Sequence, residues 1–321
     1  MSVGSNPMAS SILLEVKNLS KTYPLEYNLL GKVTKRLQAL QDISFEVEAG
    51  QTLGLIGESG SGKSTIARII AKLIPADGGS ILLQNQDILK MNAQNFAPYR
   101  QRIQMIFQDP NSSLNPRLTI KQILEEPLIG FKMGNTDQRQ QMIRDMLSEV
   151  GLDDSILTRY PKQLSGGQKQ RVSILGNLLV KPQLIIADEI VSALDLSVQA
   201  QILNLWRELQ QKYNLATIFI SHDLQVIGWL ADTVVVLYRG LIVERGSATA
   251  ICNEPYHPYT QQLFAAYDEN VTAIKAEPVN EANYCCPFYP RCPKRLNICQ
   301  EAATPIQKLA DDHYVWCHLA E

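Results

Sequence analysis

The sequence predicts an α/β fold with a parallel sheet at its centre, and three apolar runs that each end in reactive residues are what predict it. Thr52-Leu53-Gly54-Leu55-Ile56 reads as a buried strand and leads into Gly57-Glu58-Ser59-Gly60-Ser61-Gly62-Lys63-Ser64-Thr65. Leu184-Ile185-Ile186-Ala187 reads as a second and delivers Asp188 and Glu189 to its carboxyl end, where open parallel sheets bind ligands. Thr217-Ile218-Phe219-Ile220 is a third, ending at Ser221-His222-Asp223.

The glycine-rich run fits G-x-x-x-x-G-K-[ST], a pattern with a mechanical reason. Glycines let successive N–H groups turn inward around phosphates, Lys63 adds a point charge, and the Ser64 hydroxyl can ligate magnesium. Thr65 to Leu73 reads as a helix whose N-terminus faces the anion, a context that argues against a merely flexible Gly/Ser loop. Asp188 is placed to hold magnesium through water and Glu189 to polarise the attacking water, the positioning role that dominates phosphoryl transfer. Two acids after a strand can also just cap a helix, but a phosphate loop demands such a partner. A lone histidine is more often structural than catalytic; His222 stands one strand end along from Glu189, which favours the catalytic role.

The other elements follow in order. Strands are expected at Ile12 to Leu19, Ile43 to Val47 and Ile81 to Leu83 around the loop, and Ile103 to Phe107 is a strand ending at Gln108. From Asn111 to Val180 the pattern turns helical, with Thr119 to Pro127, Asp137 to Val150 and Gly166 to Val180 showing apolar residues three and four apart. Thr136 or Asn135 is the candidate cap of the middle helix and Gly151 its end. Strands and helices alternate from Leu184 to Leu230, as a parallel sheet requires. Val234 to Leu237 and Leu241 to Glu244, joined by Arg239-Gly240, read as a hairpin, His257 to Tyr267 as a short helix, and Asp268 to Ala282 as a linker.

At 321 residues the chain has room for one substantial core with appendages. A net charge of −2 leaves no basic footprint for nucleic acid. Met1 to Ser10 lacks the apolar core of a signal peptide, and no apolar stretch approaches the roughly 18 residues needed to span a bilayer.

Taken in order, the phosphate loop, Gln108, Leu164-Ser165-Gly166-Gly167-Gln168, Asp188-Glu189 and His222 resemble the motifs of ABC transporter ATPase subunits, from about Leu13 to the C-terminus. The resemblance implies an ABC-type nucleotide-binding domain over 12–250, with an antiparallel β subdomain and a helical subdomain near 111–180, behind a flexible N-terminus at 1–11. It implies ATP and Mg²⁺ held by Gly57, Ser59, Gly60, Ser61, Gly62, Lys63, Ser64 and Thr65, with Tyr23 stacked on adenine. Gln108 resembles the glutamine that senses magnesium and water, Asp195 the D-loop aspartate, and His222 the switch histidine. Ser165, Gly166, Gly167 and Gln168 resemble the signature that closes on ATP bound by an opposite cassette, so a second ATPase subunit, a paralogue in this family pattern, is implied.

Phe107-Gln108-Asp109-Pro110, Ser113-Leu114-Asn115-Pro116-Arg117 and Asn253-Glu254-Pro255-Tyr256-His257-Pro258-Tyr259-Thr260 resemble the dipeptide/oligopeptide importer branch. The segment Tyr23 to Gln38 is similar to the longer N-terminal insert of the second ATPase subunit in those importers. The branch implies two transmembrane permease subunits, an extracytoplasmic substrate-binding protein and a place on the cytoplasmic face of the inner membrane. Nickel, haem and other small solutes are alternative cargoes, and a soluble ABC ATPase acting on nucleic acid or ribosomes is the reading from another class. Ile190 and Leu175-Gly176-Asn177-Leu178 depart from the family pattern.

Of the 6 cysteines, Cys285, Cys286, Cys292, Cys299 and Cys317 crowd the tail, within a C-terminal extension expected at 251–321. In an intracellular chain such a cluster is more often a metal site than a set of disulfides, and reduced thiols in a small core are the bland alternative. Cys286, Cys292, Cys299 and Cys317 resemble the four-cysteine motif of peptide-importer ATPases, which implies a [4Fe–4S] cluster; zinc asks for the same four ligands.

Overall fold

A computed structural model describes residues 12–28, 31–266 and 285–320. The expected flexible N-terminus and the Asp268 to Ala282 linker lie outside the described residues. Two sheets carry the fold. The smaller is antiparallel, in the order β2-β1-β4-β5, from β1 (Ile12–Tyr27), β2 (Val33–Glu48), β4 (Gly78–Leu83) and β5 (Gln86–Asp87). The larger runs β11-β12-β10-β9-β3-β8-β7-β6, from β3 (Thr52–Ile56), β6 (Ile103–Ile106), β7 (Leu184–Asp188), β8 (Ala216–Ile220), β9 (Thr233–Tyr238), β10 (Leu241–Ser247), β11 (Ile306–Ala310) and β12 (His313–Trp316).

Strands β6, β7, β8, β3 and β9 are parallel, and β3, β7 and β8 are buried at every position. That burial explains their unbroken apolar runs, since a parallel sheet is covered on both faces. With the strands in parallel, the segments after β3, β6, β7 and β8 gather at one end of the sheet. Those segments are the phosphate loop, Gln108, Glu189 and His222.

The antiparallel sheet is longer than expected. Tyr23 to Gln38, read from sequence as an insert, extends β1 and β2 as a hairpin, with Tyr23 opposite Leu37 and Tyr27 opposite Val33. At the other edge, β12 pairs antiparallel with β10 and β11 with β12, so the tail adds two strands to the central sheet. The Arg239-Gly240 turn joins β9 to β10 with φ of 47° and 79°, the doubly left-handed geometry of a tight hairpin. Gly240 also has no alternative: a Cβ there would stand 2.5 Å from the Ala39 carbonyl oxygen.

The helical part begins where the apolar spacing predicts. Thr119 and Asn135 cap Ile120–Gly130 and Thr136–Leu147 through reciprocal capping boxes with Gln122 and Gln138. The first helix continues past Pro127 to Gly130 because Leu128 is fully buried and holds the last turn against the core. The second ends earlier than expected, passing into a 3₁₀ turn over Ser148–Val150 before Gly151, at φ 66°, reverses the chain. The helix Ala93–Arg102 was not expected; it is capped by Asn92 and anchored by the single buried residue Phe96, too little apolar periodicity to be seen in sequence.

Both departures from the family pattern have structural accounts. Ile190 is buried in the core between the sheet and the helical part, so an apolar side chain takes up space there. Asn177 donates its side-chain amide to the Ser173 carbonyl four residues back, an internal bond of the helix Gly166–Leu178. Gly176, in that helix, has ordinary contact distance for a Cβ, 3.8 Å from Leu124 Cδ2. Gly176→Ala is therefore expected to raise stability by about 0.5–1 kcal/mol through helix propensity; a chemical denaturation midpoint that stays put or falls would contradict this.

Candidate nucleotide site

The loop after β3 is shaped by what surrounds it. Gly57 (φ 145°) lies where a Cβ would fall 2.2 Å from the Leu237 carbonyl oxygen, and Gly62 (φ 111°) where one would meet Leu40 and the Ala39 carbonyl. Gly62 precedes the helix Lys63–Ile70 without any side-chain cap, so the first N–H groups of that helix carry no side-chain cap partner and suit an anion. The Arg239-Gly240 turn braces the loop from behind, Gly240 N–H donating to the Ser61 carbonyl at 2.9 Å.

Lys63 is almost wholly buried in its own loop, its ammonium donating to the Gly57 carbonyl (2.6 Å), the Glu58 carbonyl (2.9 Å) and Ser61 Oγ (3.3 Å). Burial pulls its pKa down, against the opposing pull of Glu189, Asp188 and Glu58. Asp188, also buried, has its pKa pushed up by the same loss of solvent, while Ser64 Oγ, 3.5 Å from Asp188 Oδ1, pulls the other way. A buried cation and a buried carboxylate, each penalised for its charge, suit a ligand that brings phosphates and a divalent cation together. The Ser64 and Asp188 oxygens are hard donors of the type magnesium takes, and they are adjacent.

Glu189 is held on both oxygens. Gln108 Nε2 donates to Oε2 at 2.7 Å and His222 Nδ1 lies 3.4 Å from Oε1. Its backbone is left-handed, with φ 50°, a strained conformation for a non-glycine residue that the fold sustains by tying Glu189 N–H to the Ile220 carbonyl and the Glu189 carbonyl to Ser192. Three strand ends therefore fix one carboxylate.

Lys63, Ser64, Gln108, Asp188, Glu189 and His222 thus meet as the sequence predicts. The contacts of the signature residues are local. Ser165 caps the helix Gly166–Leu178, exchanging bonds with Gln168, and Ser165 and Gly166 are exposed at the tip of that helix. A Cβ on Gly167 would come 2.7 Å from Val198 Cγ1, so this glycine permits close approach of the helix Leu196–Tyr213. Asp195 begins that helix with no side-chain cap bond, beside an 84 % exposed Leu196. Tyr23 is half-buried on β1, its ring 5.5 Å from the Lys21 ammonium.

Cys286, Cys299 and Cys317 are buried, Cys292 is half-buried and Cys285 is exposed, all as free thiols. Burial raises the pKa of Cys286, Cys292 and Cys317. Among the described residues no group of three or more His, Cys, Asp or Glu side chains is arranged to hold a metal ion. The residue types suit a four-thiolate site of the [4Fe–4S] or zinc kind, and Cys292, Cys299 and Cys317 all lie close enough to Cys286 to act on its pKa. Cys286 and Cys299 also pack into the main apolar core with Phe288.

Sequence reasoning missed what the tail touches. Arg291 forms a two-pronged pair with Glu58 of the phosphate loop, and Tyr259 accepts the Glu58 N–H. Glu244, fully buried, accepts from the N–H groups of Tyr256 and His257 and pairs with His313, pinning the helix Pro258–Ala265 and β12 to the sheet. His257 in turn caps that helix, accepting from Tyr259 N–H through Nδ1, and burial pulls its pKa to about 3. A base whose folded pKa lies below its unfolded value gives stability that is complete above pH 6.5 and lost as pH falls towards 3. The loss from this residue is about 1.4 kcal/mol per pH unit within that window. His257→Asn, which keeps a cap acceptor, is expected to flatten the acid limb of a Tm against pH profile; an unchanged limb would show that other groups set it.

The fold and the site define an ATPase of the P-loop type. A family model described as "ABC transporter" matches residues 40–192, and one described as "Oligopeptide/dipeptide transporter, C-terminal region" matches 243–299. A probable peptide ABC transporter ATP-binding protein of Sinorhizobium fredii is 43% identical, over 97% of this chain and 90% of its own. The dipeptide transport ATP-binding protein DppF of Escherichia coli is 42% identical over 90% and 89%, and the oligopeptide transport ATP-binding protein AppF of Bacillus subtilis 39% over 96% and 97%. An ATP-binding cassette solved as a dimer with ADP and phosphate superposes with a TM-score of 0.65 at 27% identity, covering 73% of this chain and 98% of that one. The chain belongs to the family of oligopeptide and dipeptide ABC transporter ATP-binding proteins, and it is an ATP-binding, ATP-hydrolysing subunit. No helix among the described residues is long and apolar enough to cross a membrane.

Proposed function

We propose that this chain hydrolyses ATP to power import of dipeptides or oligopeptides, as a peripheral subunit on the cytoplasmic face of the inner membrane. The observation that carries the chemistry is the Glu189 carboxylate, clamped by Gln108 and His222 beside the Lys63 loop. In this reading Gly57, Ser59, Gly60, Ser61, Gly62 and Thr65 wrap the phosphates, Lys63 turns from its loop carbonyls to the phosphate oxygens, and Tyr23 stacks on adenine. Ser64 and Asp188, with Gln108, hold magnesium, which neutralises phosphate charge when bound. Glu189 orients the attacking water as general base, and His222 fixes Glu189 and senses the terminal phosphate.

Ser165, Gly166, Gly167, Gln168 and Asp195 act in trans, on ATP held by a second cassette. The exposure of Ser165, Gly166 and Asp195 supports this. ATP bridges two cassettes and ADP does not, so hydrolysis reopens the pair by differential affinity. The tail motif and the peptide-transport names of the relatives support peptide as cargo over nickel, haem or another small solute. They also support a substrate-binding protein and two permease chains as partners. Co-expression with candidate permease chains tests the assignment: the complex should co-purify, and its ATPase should rise when peptide-loaded binding protein is added. Stimulation by nickel- or haem-loaded binding protein and none by peptide would overturn the cargo.

A further inference from the structure

The phosphate loop contains an acid, Glu58, one residue into a segment built to receive phosphates. An uncompensated carboxylate there would repel the ligand. Its charge reaches the site, because Lys63 experiences it directly and also donates to the Glu58 backbone carbonyl. In this fold Glu58 is compensated from the far end of the chain. Arg291, 233 residues away, places Nη1 2.9 Å from Oε2 and Nη2 2.8 Å from Oε1, the two-pronged geometry that only a guanidinium supplies.

The guanidinium is itself held. It lies 5.8 Å from the centroid of Tyr238 and 5.7 Å from that of Phe288, and its side chain is 18% exposed. Tyr238, Tyr259 and Phe288 pack as a trio with centroids 4.6, 5.3 and 5.5 Å apart. From that trio the Tyr259 hydroxyl accepts the Glu58 N–H at 2.8 Å, so the backbone of the same residue is anchored too. An exposed ion pair is usually worth little, but here the aromatic packing has already fixed the arginine, which removes most of the entropic cost of pairing.

We propose that Arg291 and Tyr259 are positioning residues for nucleotide binding: Arg291 masks and turns aside the Glu58 carboxylate, and Tyr259 fixes the entry of the phosphate loop, so docking of the tail sets the affinity for ATP. This rests on the reading that Gly57 to Thr65 binds the ATP phosphates. It gives the C-terminal tail a task in nucleotide binding that needs no metal.

The test uses the full-length chain, with MgATP binding by calorimetry and steady-state hydrolysis on the same samples. Arg291→Ala is expected to raise the Kd and KM for ATP about tenfold and to leave kcat within about twofold, since ground-state binding is what is lost. Arg291→Lys should fall between. Glu58→Gln placed in the Arg291→Ala background should recover most of the affinity, because the repulsion is then gone. An unchanged Kd in Arg291→Ala would overturn the proposal, as would a raised Kd that Glu58→Gln does not relieve, which would mark Arg291 as merely structural. Lys63→Ala is the control for the underlying reading: if it still binds ATP at the parent affinity, the loop assignment fails, whatever Arg291 does.

Discussion

Glu189→Gln is expected to bind MgATP as the parent does and to lose turnover by roughly a hundredfold or more, the size suited to a group that acts on the transition state. The geometry says why the loss falls on kcat. The amide keeps the size and the hydrogen bond to His222 or Gln108, so the phosphate cradle is undisturbed, but it cannot accept the proton of the attacking water. The clamp also makes a secondary prediction about character: the left-handed backbone at Glu189 is held by bonds of its own main chain, so the substitution should fold normally. A Glu189→Gln chain with near-parental hydrolysis would remove Glu189 from the chemistry.

Lys63→Ala should act on the other side of the kinetic ledger, weakening ATP binding itself by roughly a hundredfold, a few kcal/mol of charge-assisted hydrogen bonding. The lysine has two tasks here. It supplies the cation, and it satisfies the Gly57 and Glu58 carbonyls and Ser61, so its removal loosens the loop as well as discharging it. Equilibrium binding of a fluorescent ATP analogue distinguishes the two variants: Lys63→Ala should lose the signal where Glu189→Gln keeps it. Retention of tight binding by Lys63→Ala would place the nucleotide elsewhere.

How much of this the sequence discloses follows from the range of the interactions. The Lys63 loop, Gln108, Asp188 with Glu189, and His222 were legible because each is written as an apolar strand followed at once by its reactive residue, and the parallel sheet does the gathering. The Asn135 cap, one of the two candidates for the middle helix, and the Arg239-Gly240 turn were legible for the same reason, being local. The Tyr23 to Gln38 hairpin was obscured because the described residues of its far half carry little burial: Leu25, Tyr27 and Leu37 are all at least half exposed, so no buried face imposes alternation there. Strands β11 and β12 hid behind weak patterns, with Ile306 63% exposed, and their sheet partner β10 lies far back in the chain. Arg291 and Glu58 could not be paired from sequence at all, since neither position carries a motif that calls for the other.

The cysteine spacing was legible in the sequence, but the ligand it would serve was not, because four thiolates suit iron–sulfur and zinc alike. Their spacing announces a ligand set, and the fold does draw them into one neighbourhood, where Cys286 N–H donates to the Cys299 carbonyl. Cys286 and Cys299 also belong to the main apolar core. What the tail demonstrably holds is the Glu58 end of the phosphate loop.

The central claim is that ATP bound on Gly57 to Thr65 of one cassette is hydrolysed by Glu189 only when a signature helix from another cassette closes over it. Gly167 is unsuited to testing this, because any side chain there strikes Val198 within the same chain; exposed Ser165 is suited, at a capping cost of about 1 kcal/mol. The most direct measurement is hydrolysis by a mixture of full-length Ser165→Arg and Lys63→Ala chains. Each alone should be inactive, while the mixture forms one intact composite site per pair and should hydrolyse ATP well above the sum of the two. A mixture no more active than that sum, with ATP still bound by the Ser165→Arg chain and the two chains associated with each other on crosslinking, would contradict the account.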